Sequence, residues 1–264
     1  MPYSEERITS MQRWSEKTFS FTTTRPEGLQ FRHGQFVTLG LRPEGRLIPR
    51  AYSIVSTPED AELEFLSIHV PDGALTSRLA ECEPGDSIWI NTKATGSLTV
   101  DHVQPGRVLY MLATGTGLAP FVSLIRGGEL LFEHFERVVL VHSVRTAEEL
   151  AYREELESRI SERLRYVPTV TREAHDFSCP IARQPYDNNQ RGADMFRSGE
   201  LSAALDLPPA DPEQDRVMLC GNPAMNREMT DWLTAHGWTQ TTYKGVGNFS
   251  VEQAFVTTMD DADD

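Results

Sequence analysis

Cysteine is scarce in this chain of 264 residues: Cys82, Cys179 and Cys220 are the only three, far apart and with no C-x-x-C pair. That excludes a disulfide scaffold and leaves too few thiolates for an all-cysteine iron–sulfur cluster. A reducing, cytoplasmic setting is the economical expectation. No uninterrupted apolar run reaches the roughly 18 residues of a membrane span. The opening Met-Pro-Tyr-Ser-Glu-Glu-Arg is polar and lacks the apolar stretch of a signal peptide. Positive charge is also in deficit, with 25 Lys and Arg against 39 Asp and Glu, a formal charge of −14. Four of the acids, Asp260, Asp261, Asp263 and Asp264, lie in the last six residues. This balance argues against a general nucleic-acid binder, and any acidic partner must meet a local basic patch. There is no internal repeat and no long low-complexity tract.

What is present is an ordinary globular mixture, 39% hydrophobic and 24% charged, long enough for two average domains. Two rhythms divide it. Residues 1 to about 100 hold short β-rich runs, Phe19–Thr24, Gln35–Leu41, Ala51–Val55, Leu63–Val70 and Ser87–Asn91, punctuated by Gly, Pro and Asp. Such spacing predicts an antiparallel barrel or sandwich, interrupted by one helix over Leu75–Glu81. The second half alternates. Val108–Ala113, Val138–His142, Tyr166–Thr171 and Val217–Cys220 are compact apolar runs, most followed by a helical pattern, of which Ala147–Arg159 is the best. Strand–helix alternation predicts a parallel sheet covered on both faces. Gln104-Pro105-Gly106 marks a turn within Asp101–Gly106, which sets the expected domains at 1–102 and 103–264. The polar loop Glu173–Asp194 and the acidic tail 257–264 stand apart.

In open parallel sheets ligands bind beyond the carboxyl ends of the strands. Here those ends read Thr114-Gly115-Thr116-Gly117-Leu118-Ala119-Pro120, His142-Ser143-Val144-Arg145, Thr171-Arg172 and Cys220-Gly221-Asn222-Pro223. A glycine pair lets the backbone approach a pyrophosphate, and the following helix start offers free N–H groups. Arginines at neighbouring strand ends grip a further phosphate bidentately. Together they describe a dinucleotide pocket, the two arginines suiting a 2′-phosphate and so NADP. A lone G-x-G is more often a plain tight turn, and Pro120 stands where a third glycine is usual. The convergence of four strand ends carries the reading. In the first half, alternation along Arg50-Ala51-Tyr52-Ser53 puts Arg50 and Tyr52 on one face. That set suits a planar, phosphate-bearing cofactor, or equally an edge strand with a surface Arg–Tyr pair.

Arg50-Ala51-Tyr52-Ser53 resembles the flavin signature R-x-Y-S of the ferredoxin–NADP reductase family. Gly73-Ala74-Leu75-Thr76-Ser77-Arg78-Leu79 resembles the flavin-pyrophosphate helix of its bacterial branch. Thr114–Pro120, Arg145 with Thr171-Arg172, and Cys220–Pro223 follow in family order, and Ala254-Phe255-Val256 resembles that branch's C-terminal end. The likeness covers nearly the whole chain.

The resemblance implies FAD, with Tyr52 packing against the isoalloxazine, Ser53 near its N5 and Ile68, His69 and Val70 lining the flavin strand. Arg50, Ala51 and the groups at Ala74, Leu75 and Thr76 attend the FAD, Arg50 neutralising its pyrophosphate. Thr116 lies where flavin and nicotinamide meet, Ala254 leaves an open flavin face, and Phe255 stacks on the adenine. NADP(H) is the substrate, held by Thr114, Gly115, Gly117 and Val144, by Gly221, Asn222 and Pro223 along its backbone, and by Arg145, Thr171 and Arg172 at the 2′-phosphate. A third arginine is implied in the loop, Arg191 by its distance from Arg197-Ser198-Gly199-Glu200-Leu201, with Arg183 as rival. Cys220, with Ser53 the expected catalytic pair, sits near the nicotinamide C4.

The implied reaction passes hydride from NADPH to FAD and then single electrons to ferredoxin or flavodoxin. A separate carrier is required because the chain holds no cluster of its own. A cytoplasmic monomer is expected, with no nucleic-acid or membrane partner and no metal, since His69, His142 and His236 are not spaced as ligands. Two readings remain beside it: an NADH-dependent reductase serving an oxygenase or free flavin, and a flavin-binding regulatory subunit without turnover.

Overall fold

Hydrogen-bonded ladders split the computed structural model, which describes residues 3–175 and 179–253, into two units. One takes in the chain up to Thr99 together with Ala119–Gly127, the other Val100–Leu118 and Gly128 onwards. The first contains β1 (Tyr3–Arg13), β2 (Thr18–Thr23), β3 (Phe36–Leu41), β4 (Ile48–Ser53), β5 (Leu63–Ile68), α1 (Thr76–Leu79), β6 (Ser87–Asn91) and α2 (Ala119–Arg126). Its sheet runs β4-β3-β6-β1-β2-β5 with every pairing antiparallel. An Ile54–Phe65 bridge brings the two edges together into a nearly closed barrel. Period-two alternation puts Phe19, Phe21, Val37, Leu39, Ile88 and Ile90 inside. The α2 helix is pinned to this unit. Ser123 Oγ donates to the Ser56 carbonyl at 2.9 Å, and Arg126 meets the Glu64 carboxylate at 2.6 Å.

β1 went unforeseen because its residues are polar; only Glu6 and Ile8 are buried in it. Two ladders, one to β6 and one to β2, make it a strand. Its buried carboxylate is satisfied by the hydroxyls of Ser4 and Thr24.

The second unit contains β7 (Gly106–Thr114), α3 (Glu129–His134), β8 (Phe135–Val144), α4 (Arg153–Ser158), β9 (Leu164–Val170), α5 (Gly192–Ser198), α6 (Glu200–Ala204), β10 (Arg216–Gly221), α7 (Pro223–Ala235) and β11 (Phe249–Gln253). Its sheet is parallel throughout, in the order β11-β10-β7-β8-β9. An antiparallel barrel followed by an α/β parallel sheet is the fold class expected from sequence. β11 adds a fifth strand that the four apolar runs did not announce.

Four local expectations are corrected. Ala147–Arg159 is not one helix: a 3-10 turn at Ala147–Glu149 is followed by Tyr152 in the left-handed region (φ 58°) before α4 begins. The turn is tied down by the Glu149 carboxylate, which accepts the Arg145 N–H at 3.0 Å, while Leu150 and Ala151 are buried. The helix expected over Leu75–Glu81 is confined to Thr76–Leu79. The strand expected over Leu63–Val70 ends at Ile68, and the Val70 carbonyl instead accepts the Gly73 N–H of a turn. The loop Glu173–Asp194 gives way to helix at Gly192, and the residues of the acidic tail lie outside those described.

Two buried polar groups define the second unit. Asp215 is fully buried and accepts from Arg107 Nε and Nη2 at 3.0 and 2.7 Å and from the N–H groups of Val108 and Asp211. Removing one partner of such a pair strands the other's hydrogen-bonding groups, so Asp215→Ala should cost about 3–5 kcal/mol of unfolding free energy. Chemical denaturation measures this, and a loss under about 1 kcal/mol contradicts it.

His142 is fully buried at the centre of the sheet and donates from Nε2 to the Gly115 carbonyl at 3.1 Å. Burial holds its imidazole down at about 4, against an ordinary 6.5. The folded state therefore stays neutral while the unfolded chain takes up a proton. The stability is intact above pH 6.5 and drains away as pH falls towards 4, by about 3 kcal/mol in all. Denaturation midpoints followed from pH 7 to 4 should separate wild type from the non-titrating His142→Gln only below 6.5. Parallel profiles contradict it.

Candidate functional site

Chain order runs from β7 through β8 to β9 on one side of the second sheet, then returns to β10 and β11 on the other. The reversal falls between β7 and β10, and the crevice beyond the carboxyl ends of such a pair is where α/β sheets take ligands. Thr114–Leu118 and Cys220–Pro223 stand there. They approach so closely that side chains are excluded. A Cβ on Gly117 would lie 2.0 Å from the Cys220 carbonyl oxygen, and one on Gly221 2.1 Å from Thr114 Oγ1. Thr114 Oγ1 ties the ends together by accepting from the Asn222 N–H at 2.9 Å. Asn222 Oδ1 caps α7 by accepting the Met225 N–H at 2.8 Å, and Pro223 follows at the first helical position, where it costs no hydrogen bond. Gly115 has φ of +52°, faces open space and is anchored by His142; Thr116 is half-buried beside it. A glycine-opened 3-10 turn of this kind, Gly115–Leu118, suits a pyrophosphate.

Cys220 is completely buried in β10. Burial, reinforced by the Glu252 carboxylate, pushes its thiol well above the usual range. It is a neutral thiol, neither base nor nucleophile at neutral pH.

At the other side of the same sheet end, three arginines gather. Val144 and Val170 pair at the close of β8 and β9, and the Arg172 N–H continues the ladder to the Arg145 carbonyl at 2.9 Å. Arg191 is joined to Gly192, whose N–H donates to Ser143 Oγ at 2.9 Å. A Cβ on Gly192 would meet Val141 at 2.3 Å, so this segment lies directly on β8. Ser143 is fixed in turn by Thr169 at 2.8 Å. This hydroxyl pair was not singled out from sequence; its signal was two polar residues at one level of two apolar runs. Asn189 was also missed, and its amide bridges the Val170 and Glu173 carbonyls. The guanidinium groups of Arg145, Arg172 and Arg191 have no partner among the described residues, and Arg172 and Arg191 are exposed. Arg183 lies elsewhere. Its N–H donates to Ala204, and its neighbour Ile181 accepts from Arg165, next to the start of β9. Val144 contributes backbone only, its side chain packing on Leu150 and Val170, and the Thr171 hydroxyl is spent on the Val144 carbonyl at 3.2 Å.

In the barrel unit, Arg50 opposes Leu39 and Tyr52 opposes Val37 across β3 and β4. Tyr52 is 9% exposed, its ring edge-on to Phe21 and Phe65, and its hydroxyl bonds Ser67 at 3.0 Å. Burial pushes that phenol up to about 12 and keeps it neutral. It is not half of a surface pair. Arg50 and Ala51 are exposed, and among the described residues Arg50 donates only to its neighbour's carbonyl, Pro49. The Ser53 hydroxyl has no partner among the described residues, nor have the N–H groups of Ala74 and Leu75. A Cβ on Gly73 would lie 2.3 Å from Thr76 Oγ1. A cleft of about 250 Å³ lies between Pro43, Glu44, Arg46 and Ile48 on one side and Arg78 of α1 on the other. Ile48 shares the strand face of Arg50 and Tyr52 by the period of two. Ile68, His69 and Val70 are each half-buried. An exposed guanidinium, unspent amides and a cleft are the donor set and space that a flavin dinucleotide needs. Ala254 and Phe255 lie outside the described residues. No group of His, Cys, Asp and Glu among the described residues is arranged to hold a metal, and no helix there is long and apolar enough to cross a membrane.

Two known families match the chain in succession. The family described as the oxidoreductase FAD-binding domain matches residues 7–98, and the oxidoreductase NAD-binding domain matches residues 111–231. The chain is 43% identical to the ferredoxin–NADP reductase of Pseudomonas aeruginosa over 95% of this chain and 97% of that protein. It is 40% identical to the flavodoxin/ferredoxin–NADP reductase of Rhodobacter capsulatus, over 95% and 93%. The crystal structure of a ferredoxin NADP+ reductase from Neisseria gonorrhoeae with bound FAD and NADP superposes with a TM-score of 0.87 at 31% identity, covering 97% of this chain and all of that one. With both domain families matched in this order and relatives aligned over nearly their whole length, the chain belongs to the ferredoxin–NADP reductase family.

Proposed function

We propose that the protein exchanges electrons between NADPH and a one-electron carrier, ferredoxin or flavodoxin, through bound FAD, as a cytoplasmic monomer. The observation that carries the coenzyme choice is the trio of arginines at the carboxyl end of β8 and β9 whose guanidinium groups have no partner among the described residues. Three such cations at one strand end suit a dianionic 2′-phosphate. They also speak against the NADH-dependent reading. Arg191 rather than Arg183 is the third of them, because its segment is docked on Ser143 beside Arg145. The names of the Pseudomonas and Rhodobacter relatives support ferredoxin, and the latter flavodoxin too.

When bound, FAD supplies the chemistry that accepts hydride and returns electrons singly. The chain's own residues orient and neutralise. Arg50 and the free amides of Ala74 and Leu75, with Thr76, hold the FAD pyrophosphate; Tyr52 is a wall locked by the barrel's aromatic core; Ser53 offers an unspent hydroxyl to the ring. Ile68, His69 and Val70 line the flavin, and Ala254 and Phe255 remain assigned to it by resemblance alone. Thr114 to Gly117 cradle the NADP pyrophosphate, Thr116 being assigned to the flavin by resemblance alone. Gly221, Asn222 and Pro223 steer the nicotinamide past Cys220, whose neutral thiol fills space against C4 without competing for a proton. Residues 1–102 are on this reading the FAD-binding domain and 103–264 the NADP-binding domain.

Replacing both Arg145 and Arg172 by Ala removes two charge-assisted contacts of about 1.5–3 kcal/mol each. KM for NADPH should rise about a hundredfold or more, while the NADH parameters move less than about threefold. Steady-state ferredoxin reduction with the two coenzymes reads this out. Equal changes for both would remove the 2′-phosphate assignment.

A further inference from the structure

Asn226 is an unusual choice for its position. It lies in the second turn of α7, on the face that Met229 and Leu233 bury against the sheet, and is 4% exposed. Asparagine is a poor helix former, and here its Oδ1 is buried with no hydrogen-bond partner among the described residues. An apolar residue would satisfy both helix and core. The other end of the carboxamide explains its presence. Nδ2 donates to the Glu252 carbonyl at 2.9 Å and towards the Gly221 carbonyl at 3.4 Å. Both neighbours are acceptors, so only the NH2 end can face them. One side chain thus bridges the carboxyl ends of β10 and β11, at the last rungs of their ladder, Cys220 opposite Glu252 and Gly221 opposite Gln253. The first strand end carries Cys220 and the glycine packed against Thr114; the second leads straight into Ala254 and Phe255.

We infer that Asn226 is a positioning residue for hydride transfer. Its two donors lock the ends of β10 and β11 in one register, and so set where Cys220 and Gly221 hold the nicotinamide ring. This rests on the NADPH–flavin reading above. It requires no contact between Asn226 and either cofactor. Hydride transfer falls off steeply with small errors of approach, whereas the adenosine and phosphate contacts that dominate binding lie elsewhere.

The test compares wild-type holoenzyme with Asn226→Leu, which keeps the volume but removes both donors, and Asn226→Ala, which covers the case in which leucine does not fit. Anaerobic stopped-flow with NADPH and with C4-deuterated NADPH gives the limiting reduction rate per bound flavin, the apparent Kd and the isotope effect. Amide hydrogen exchange across Val251–Gln253 gives a readout independent of turnover. The limiting rate should fall about tenfold or more with Kd changed less than about twofold. The isotope effect should rise, and exchange should quicken at Val251–Gln253. A variant that keeps the wild-type limiting rate and isotope effect, however much its melting temperature drops, overturns the inference and leaves Asn226 structural. A wild-type enzyme that NADPH fails to reduce would instead overturn the functional reading on which it stands.

Discussion

The chemistry of this protein depends on how closely two parallel strands finish. β7 and β10 end within van der Waals reach, so Gly117 has no room for a Cβ against the Cys220 carbonyl, and Gly221 has none against Thr114. After β7 the chain turns at once into a 3-10 helix, Gly115–Leu118, whose first carbonyl is held by His142. The close approach also fixes Asn222, which is at once the partner of Thr114 and the cap of α7. A glycine-bearing turn, proposed above to hold a pyrophosphate, a neutral buried thiol and a helix start are thereby placed together by packing, at the reversal point of the sheet.

Electrostatics work locally in this molecule. A charge of −14 repels anions at long range, yet salt shortens that reach to about 8 Å in physiological conditions. Arg145, Arg172 and Arg191 form no ion pair among the described residues, the nearby Glu149 carboxylate being spent on the Arg145 N–H. Elsewhere arginines are consumed by the fold, as Arg107 is by Asp215 and Arg126 by Glu64. What sets Arg145, Arg172 and Arg191 apart is their shared place at the carboxyl end of β8 and β9, where we propose that a phosphate completes the site.

The two-domain fold was legible because its second half announces itself through apolar runs that parallel sheets bury on both faces. β1 was not, because a strand with ladders on both sides needs little hydrophobicity of its own. The helix foreseen over Ala147–Arg159 failed because the Glu149 contact to Arg145 and a left-handed Tyr152 outweigh a good helical pattern. Among the proposed site residues, Arg145, Arg172 and the glycines were visible as strand-end motifs, and Arg50 as part of a short signature within β4. Ser143, Thr169, Asn189 and Asn226 were not, since their importance lies in partners distant in sequence. His142, set aside in the sequence because its spacing does not suit a metal, is bonded through Nε2 to the carbonyl that opens the Gly115–Leu118 turn.

The central claim is that this chain delivers hydride from NADPH, selected by its arginines, to a flavin held by the barrel. Anaerobic stopped-flow absorbance of the purified flavoprotein, mixed separately with NADPH and with NADH, tests it most directly. The account predicts fast bleaching by NADPH and far slower bleaching by NADH. Equal rates with the two coenzymes, or a bound flavin that neither reduces, would contradict it.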